Sequence, residues 1–195
     1  MPFPNLFCLP PATRYVPFWI FVWYNRCMKI SRMAIWLAIV SLLSTVSIPI
    51  GPVPITLQVF AIFLMAFFLS PLDSFVVMIG YTILGMIGLP IFAGSGGIGA
   101  IMSPVGGYIL GFIPSAAIAS FGWKRNGIFR ILMLSLALLI IYIFGVGVLY
   151  LYLHSLRSSI ETGFLPFVWI DAIKISLVFP LAKRISKIQL IRSKT

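Results

Sequence analysis

The sequence predicts an all-α membrane protein of six transmembrane helices. Three observations carry this: the composition, the division of the chain into apolar runs punctuated by proline, and the confinement of basic residues to alternate loops. Of 195 residues, 61% are hydrophobic and 9% charged, and the mean hydropathy is +1.13. Soluble domains carry about 25% charged residues, so these few charges cannot cover a water-facing surface. The net charge of +11 superficially suggests nucleic acid. However, the basic residues lie between and beyond the apolar runs rather than along one polar face. That placement suits helix ends meeting anionic lipid headgroups and excludes a nucleic-acid partner.

Six runs are long or apolar enough to be read as spans. They cover about Met33–Ile50, Ile55–Leu69, Ser74–Leu89, Pro104–Trp123, Ile128–Leu153 and Phe164–Ala182. The second is short against the roughly 20 residues a crossing needs. Pro49, Pro52, Pro54, Pro71, Pro90, Pro104 and Pro166 mark the junctions, where helices break. This gives a membrane domain over 29–187 and a basic tail over 188–195. Residues 1–28 differ from the rest. Pro2, Pro4, Pro10, Pro11 and Pro17 interrupt any long helix, and the apolar stretch Pro17–Tyr24 is too short to cross. Two readings of this segment stand: translation begins naturally at Met28, or residues 1–28 form an interfacial anchor.

Loop charge orients the bundle. Arg26, Lys29 and Arg32 precede the first span; Lys124, Arg125 and Arg130 join the fourth and fifth; Lys183, Arg184, Lys187, Arg192 and Lys194 follow the sixth. With six crossings these groups share one side, and the opposite loops hold only Arg157 among basic residues. The positive-inside rule then places both termini in the cytoplasm of a multi-pass cell-membrane protein.

Several patterns carry no chemistry. Gly94-Ser95-Gly96-Gly97-Ile98-Gly99 matches GxGxxG, but it lacks the strand–helix context and the acid about 20 residues on that a dinucleotide site requires. Gly122 and Gly127 have phosphate-loop spacing, yet Ile128 stands where lysine is needed. Gly107 and Gly111 form a GxxxG, read as close helix packing rather than a dimer face. Cys8 and Cys27 support neither a disulfide framework nor a metal site. His154 is alone, as an interfacial residue would be. No catalytic constellation, metal site or cofactor is expected.

The chemistry concentrates in the sixth span, where Asp171 and Lys174 are the two charges clearly inside a run. Intramembrane charge is rare and usually functional. Their i,i+3 spacing puts them on one helix face, partly neutralising each other. A carboxylate accepts from N–H groups and an ammonium donates to a carbonyl or carboxylate, so together they suit a compact polar head bearing both N–H and C=O. A pair that only fastens the helix stays open. Thr56 and Gln58 begin the second span on the same membrane side. The loop 94–99, with Gly94, Gly96 and Gly97, also lies on that side and permits close backbone approach to a ligand. Three features from distant parts of the chain thus converge as a lidded pocket would.

The segments VPITLQ (53–58), GYTILGMIGLPIFAGSGGIGA (80–100), SPVGGYILGF (103–112) and FLPFVWIDAIK (164–174) resemble the BioY family, the biotin-specific S components of energy-coupling factor (ECF) transporters. The resemblance runs from about Met28 to Lys187. It implies an S-component bundle of six helices, and biotin bound near the outer surface under the outer loops. It also implies partnership with a transmembrane T component and two ATPases. Asp171 and Lys174 match the polar pair of the last helix, a clamp for the ureido head; Gln58, Tyr81 and the glycine loop match recurrent positions. Ala34 and Ala38 have the AxxxA spacing that docks on the T component. Arg157 and Lys174 are both candidates for the valerate carboxylate. Val105 departs from the family's GPTGGY, removing a hydroxyl near the lid. An S component for another vitamin, a membrane enzyme using Asp171 and His154, and a purely structural bundle are the rival readings.

Overall fold

A computed structural model describes residues 18–49, 52–125 and 128–192. The elements in order are α1 (Phe18–Thr45), β1 (Ser47–Ile48), β2 (Ile55–Thr56), α2 (Gln58–Phe68), α3 (Pro71–Met86), α4 (Ile98–Ile101), α5 (Gly106–Trp123), α6 (Ile128–Leu153), α7 (Leu156–Gly163) and α8 (Leu165–Arg192). Helices α1, α2, α3, α5, α6 and α8 form the bundle. The segments Arg26–Thr45, Ile128–Leu153 and Leu156–Ala182 are long and apolar enough to cross a membrane by length and composition; α2 and α3 are shorter apolar helices.

Helix α2 sits at the centre. Every residue from Gln58 to Ala66 except Phe60 is buried, as expected of a helix apolar on all sides. At about 1.5 Å per residue its 11 residues span only about half of a 30 Å hydrocarbon core. The hairpin before it continues the path. There Ser47 pairs with Thr56 and Ile48 with Ile55 in antiparallel register. The second span is thus helical only from Gln58, not from Ile55, because the prolines at 52 and 54 favour extended backbone and the β-branched Ile55–Thr56 pairs with β1. Non-helical backbone is tolerated at membrane depth where protein encloses it.

The ends of the helices are closed by side chains. Ser70 caps α3 by accepting from the Asp73 amide at 3.2 Å, with Pro71 in the first turn, a favoured N-terminal pairing. Asp73 in turn binds Lys29 of α1 at 2.7 Å. At the adjoining C-terminal end of α2, Ser120 donates to the Leu69 carbonyl at 2.7 Å, and midway along that helix the Phe63 carbonyl accepts from Trp123 Nε1 at 3.0 Å. Cations stack here too, Arg125 over Phe121 and Arg130 over Trp123.

Helix α1 differs from the expected first span. It begins at Phe18, passes Met28 without a break and ends at Thr45 rather than Ile50. A helix satisfies its own backbone, so its polar turns around Arg26 and Lys29 need not interrupt it. The prolines up to Pro17, Cys8, Ile50 and Gly127 lie outside the described residues. At the other terminus α8 runs on to Arg192 through the start of the expected tail; residues 193–195 lie outside the description.

Helices α5 and α6 pack closely through glycine. A Cβ on Gly107 would fall 2.2 Å from the Phe144 carbonyl oxygen, and one on Gly111 3.1 Å from Ile141 Cα. The GxxxG is therefore a packing face within the chain. Gly147, on the same α6, has nothing within 4 Å of its virtual Cβ. Gly107→Ala should lower the thermal unfolding midpoint by the equivalent of about 1–3 kcal/mol, whereas Gly147→Ala should leave it within experimental scatter; paired melts in detergent measure the contrast.

Candidate functional site

The site forms where α2, α5, α6 and α8 meet at the hairpin end of the bundle. Asp171 lies about two turns into α8, counting 3.6 residues per turn, and faces inward with Lys174 one turn later. The Lys174 side chain is 9% exposed and the Asp171 side chain 3%. Lys174 Nζ donates to Asp171 Oδ1 at 2.8 Å and to the Thr56 carbonyl of β2 at 2.7 Å. Tyr142 of α6 donates to Asp171 Oδ2 at 2.8 Å. The pair is thus tied to two other elements. An ammonium carries three N–H donors, and two are used among the described residues, leaving one for the cavity these groups line.

That cavity is otherwise apolar. Val53, Val59, Phe112, Ile141 and Phe167 form its walls, with Thr56, Gln58, Tyr142, Asp171 and Lys174 as its polar groups. Tyr108 lines it as well, donating to the Gly163 carbonyl at 2.7 Å and so fixing the α7–α8 junction. Its ring lies against α6 at Gly145, where a Cβ would come within 2.2 Å of it. A mostly apolar pocket with a few convergent polar groups is the usual form of a small-molecule site.

The loop after α3 contributes to the lining. Phe92 and Ala93 line the cavity, while Gly94, Gly96 and Gly97 do not. These glycines shape the turn that delivers the two lining residues. Phe92 and Ser95 exchange backbone hydrogen bonds at 2.9 Å, Gly94 and Gly97 adopt φ of +87°, and a Cβ on Gly96 would sit 2.3 Å from the Leu89 carbonyl oxygen. The Gly97 amide donates to the Gly85 carbonyl at 2.7 Å. The GxGxxG pattern is therefore a tight turn seated on α3. On this side Tyr152 of α6 also donates to the Met102 carbonyl.

The other expected residues are distributed unevenly. Tyr81 is fully buried behind the wall, accepting from Gln58 Nε2 at 2.9 Å and donating to the Ile91 carbonyl at 2.7 Å. Arg157 does not line the cavity; it lies 88% exposed on α7, bonded to Glu161 at 2.9 Å. Ala34 and Ala38 share an exposed face of α1 with Ile35 and Leu42. His154 is exposed at the end of α6. Sequence reasoning missed Tyr142, Tyr108 and Phe92. Tyr142 and Tyr108 had no polar neighbour in sequence to mark them, and Phe92 lay just outside the glycine pattern.

A BioY family model matches residues 22–190. The chain belongs to the BioY family. The biotin transporter BioY of Thermotoga maritima is 38% identical over 167 residues, covering 84% of this chain and 99% of that protein. The probable biotin transporter BioY of Pyrococcus horikoshii is 37% identical, covering 82% of this chain and 97% of that one. Among solved structures, a crystal structure of the S-component for biotin from an ECF-type ABC transporter superposes with a TM-score of 0.75. It is 24% identical and covers 84% of this chain and 93% of that chain, which shows a shared fold. BioY membership places the chain among transporters rather than enzymes, and the S-component bundle expected from the sequence is the fold observed.

Removing one partner of a buried pair strands the other, at about 3–5 kcal/mol. Lys174→Met and Asp171→Leu should each lower the ligand-free melting temperature, and the double variant should recover most of the loss. Melts of the three proteins beside wild type test this.

Proposed function

We propose that the chain binds biotin in this cavity and serves as the substrate-capturing S component of an ECF transporter. The observation that carries the reading is the buried Asp171–Lys174 pair facing an apolar cavity. The ureido head of biotin has N–H groups for an acceptor and a carbonyl for the remaining Lys174 N–H, while its thiophane ring and aliphatic chain suit apolar walls. BioY membership across the whole bundle supports the same ligand. Arg157 is assigned no contact in the closed cavity, and Gly94, Gly96 and Gly97 act by shaping the lid.

The orientation follows from charge. The described basic groups at Lys29, Lys124, Arg125 and Arg130 lie at the end opposite the cavity, so both termini are cytoplasmic and biotin enters from outside the cell membrane. The cover formed by Phe92 and Ala93 lifts for entry. The chain carries no nucleotide-binding motif, so the energy of transport comes from partners, a T component and two ATPases. The exposed alanine face of α1 is the docking surface for the T component.

Two measurements test this. Purified wild type should bind biotin at micromolar concentration or below, and Asp171→Asn and Lys174→Met should each weaken binding by about tenfold or more, as loss of a charge-assisted hydrogen bond would. No binding of biotin, with binding of thiamine or riboflavin instead, would sink the assignment. Ala34→Trp with Ala38→Trp should abolish biotin uptake in cells supplying the T component and ATPases while leaving biotin affinity of the purified subunit unchanged.

A further inference from the structure

The buried contact between Gln58 and Tyr81 fixes more than the packing of α2 on α3. Tyr81 Oη lies 2.7 Å from the Ile91 carbonyl oxygen. Tyr81 donates its single proton to that carbonyl, which also accepts from Ser44 Oγ at 2.5 Å. In its 2.9 Å contact with Gln58 the hydroxyl must therefore accept, and Gln58 must offer its NH2 group. The two ends of an amide look alike and are assigned from the surrounding network; the Tyr81–Ile91 bond assigns the NH2 group to the Tyr81 side. Gln58 Oε1 is turned the other way. Gln58 is 4% exposed, lines the cavity, and its Oε1 has no partner among the described residues.

We infer that Tyr81 is a positioning residue: it holds Gln58 with its carbonyl oxygen toward the cavity, making that wall selective for a ligand N–H over an acceptor atom. This rests on the biotin reading, and assigns one ureido N–H to Gln58 Oε1. Tyr81 itself touches no ligand. The acceptor of its proton is Ile91, the residue before Phe92 and Ala93, which close the cavity. Orientation and closure are thereby linked. When the loop lifts, the Tyr81 proton loses its carbonyl, and the carbonyl of Gln58 is an available substitute. Gln58 then turns its NH2 into the cavity. A ligand that brings an N–H to this position binds the closed arrangement better than the open one, and this differential affinity favours closure.

The test compares biotin with the two cyclic carbamate analogues in which one ureido N–H is replaced by oxygen. Wild type should bind biotin at least about tenfold tighter than one of them, since a site built to bond an N–H penalises its loss. Tyr81→Phe should shrink that ratio to within about threefold, whatever happens to absolute affinity. Gln58→Leu should shrink it likewise, while Gln58→Glu, an acceptor at both ends, should preserve it in the Tyr81→Phe background. A ratio that survives Tyr81→Phe shows a fastening role and overturns the inference. Should Tyr81→Phe not fold, survival of the ratio in Gln58→Leu overturns it instead. Wild type that binds biotin without discriminating against either analogue overturns the inference alone; wild type that does not bind biotin overturns the biotin reading together with it.

Discussion

The buried pair of Asp171 and Lys174 is the interaction on which the architecture turns. Two opposite charges in a low-dielectric interior cost several kcal/mol each to desolvate, and their attraction compensates only when the remaining lone pairs and protons are also bonded. The chain meets this with groups from two other elements, the Tyr142 hydroxyl of α6 and the Thr56 carbonyl of β2. Satisfying one ion pair therefore sets where α8 lies against α6 and against the hairpin. The polar wall of the cavity and the packing of the last helix are the same set of contacts.

The hairpin shows a related economy of backbone. In hydrocarbon every peptide group must find an internal partner, yet α2 is too short to cross alone. Pairing β1 with β2 satisfies the strand groups, and burial against α8 puts a spare carbonyl where an ammonium needs one. The loop after α3 follows the same logic with glycine. Its turn needs left-handed backbone at Gly94 and Gly97, and Ala93 shares that region with φ of +52°, a conformation uncommon for a residue with a Cβ. All three acidic residues of the chain are paired, Asp73 with Lys29, Glu161 with Arg157 and Asp171 with Lys174.

Much of this was legible in the sequence, for identifiable reasons. Asp171 and Lys174 stood out because charges in an apolar run have no cheap explanation. The fifth span was read to the residue, since Ile128–Leu153 is a long run with clear ends. What escaped was contact between distant segments. Tyr142 lies 29 residues from Asp171, in a run whose aromatic residues have nothing to rank them. Arg157 was chosen for its charge and membrane side, although Glu161 four residues on already offered it a partner. The extent of α1 escaped because the apolar stretch at 17–24 was judged alone, whereas the helix joins it to the first span through polar turns.

The contact between Lys174 and position 56 has a further consequence. It is made by a peptide carbonyl, so it is independent of which side chain the position carries. Substituting the Thr56 side chain would probe the hydroxyl, which lines the cavity and lies 3.3 Å from the Gln58 amide, but would leave the contact with Lys174 untouched. The main chain of β2 holds the ammonium whichever side chain stands there. A map of this site drawn only from side chains would count the Thr56 hydroxyl and omit the bond by which that residue holds the ammonium.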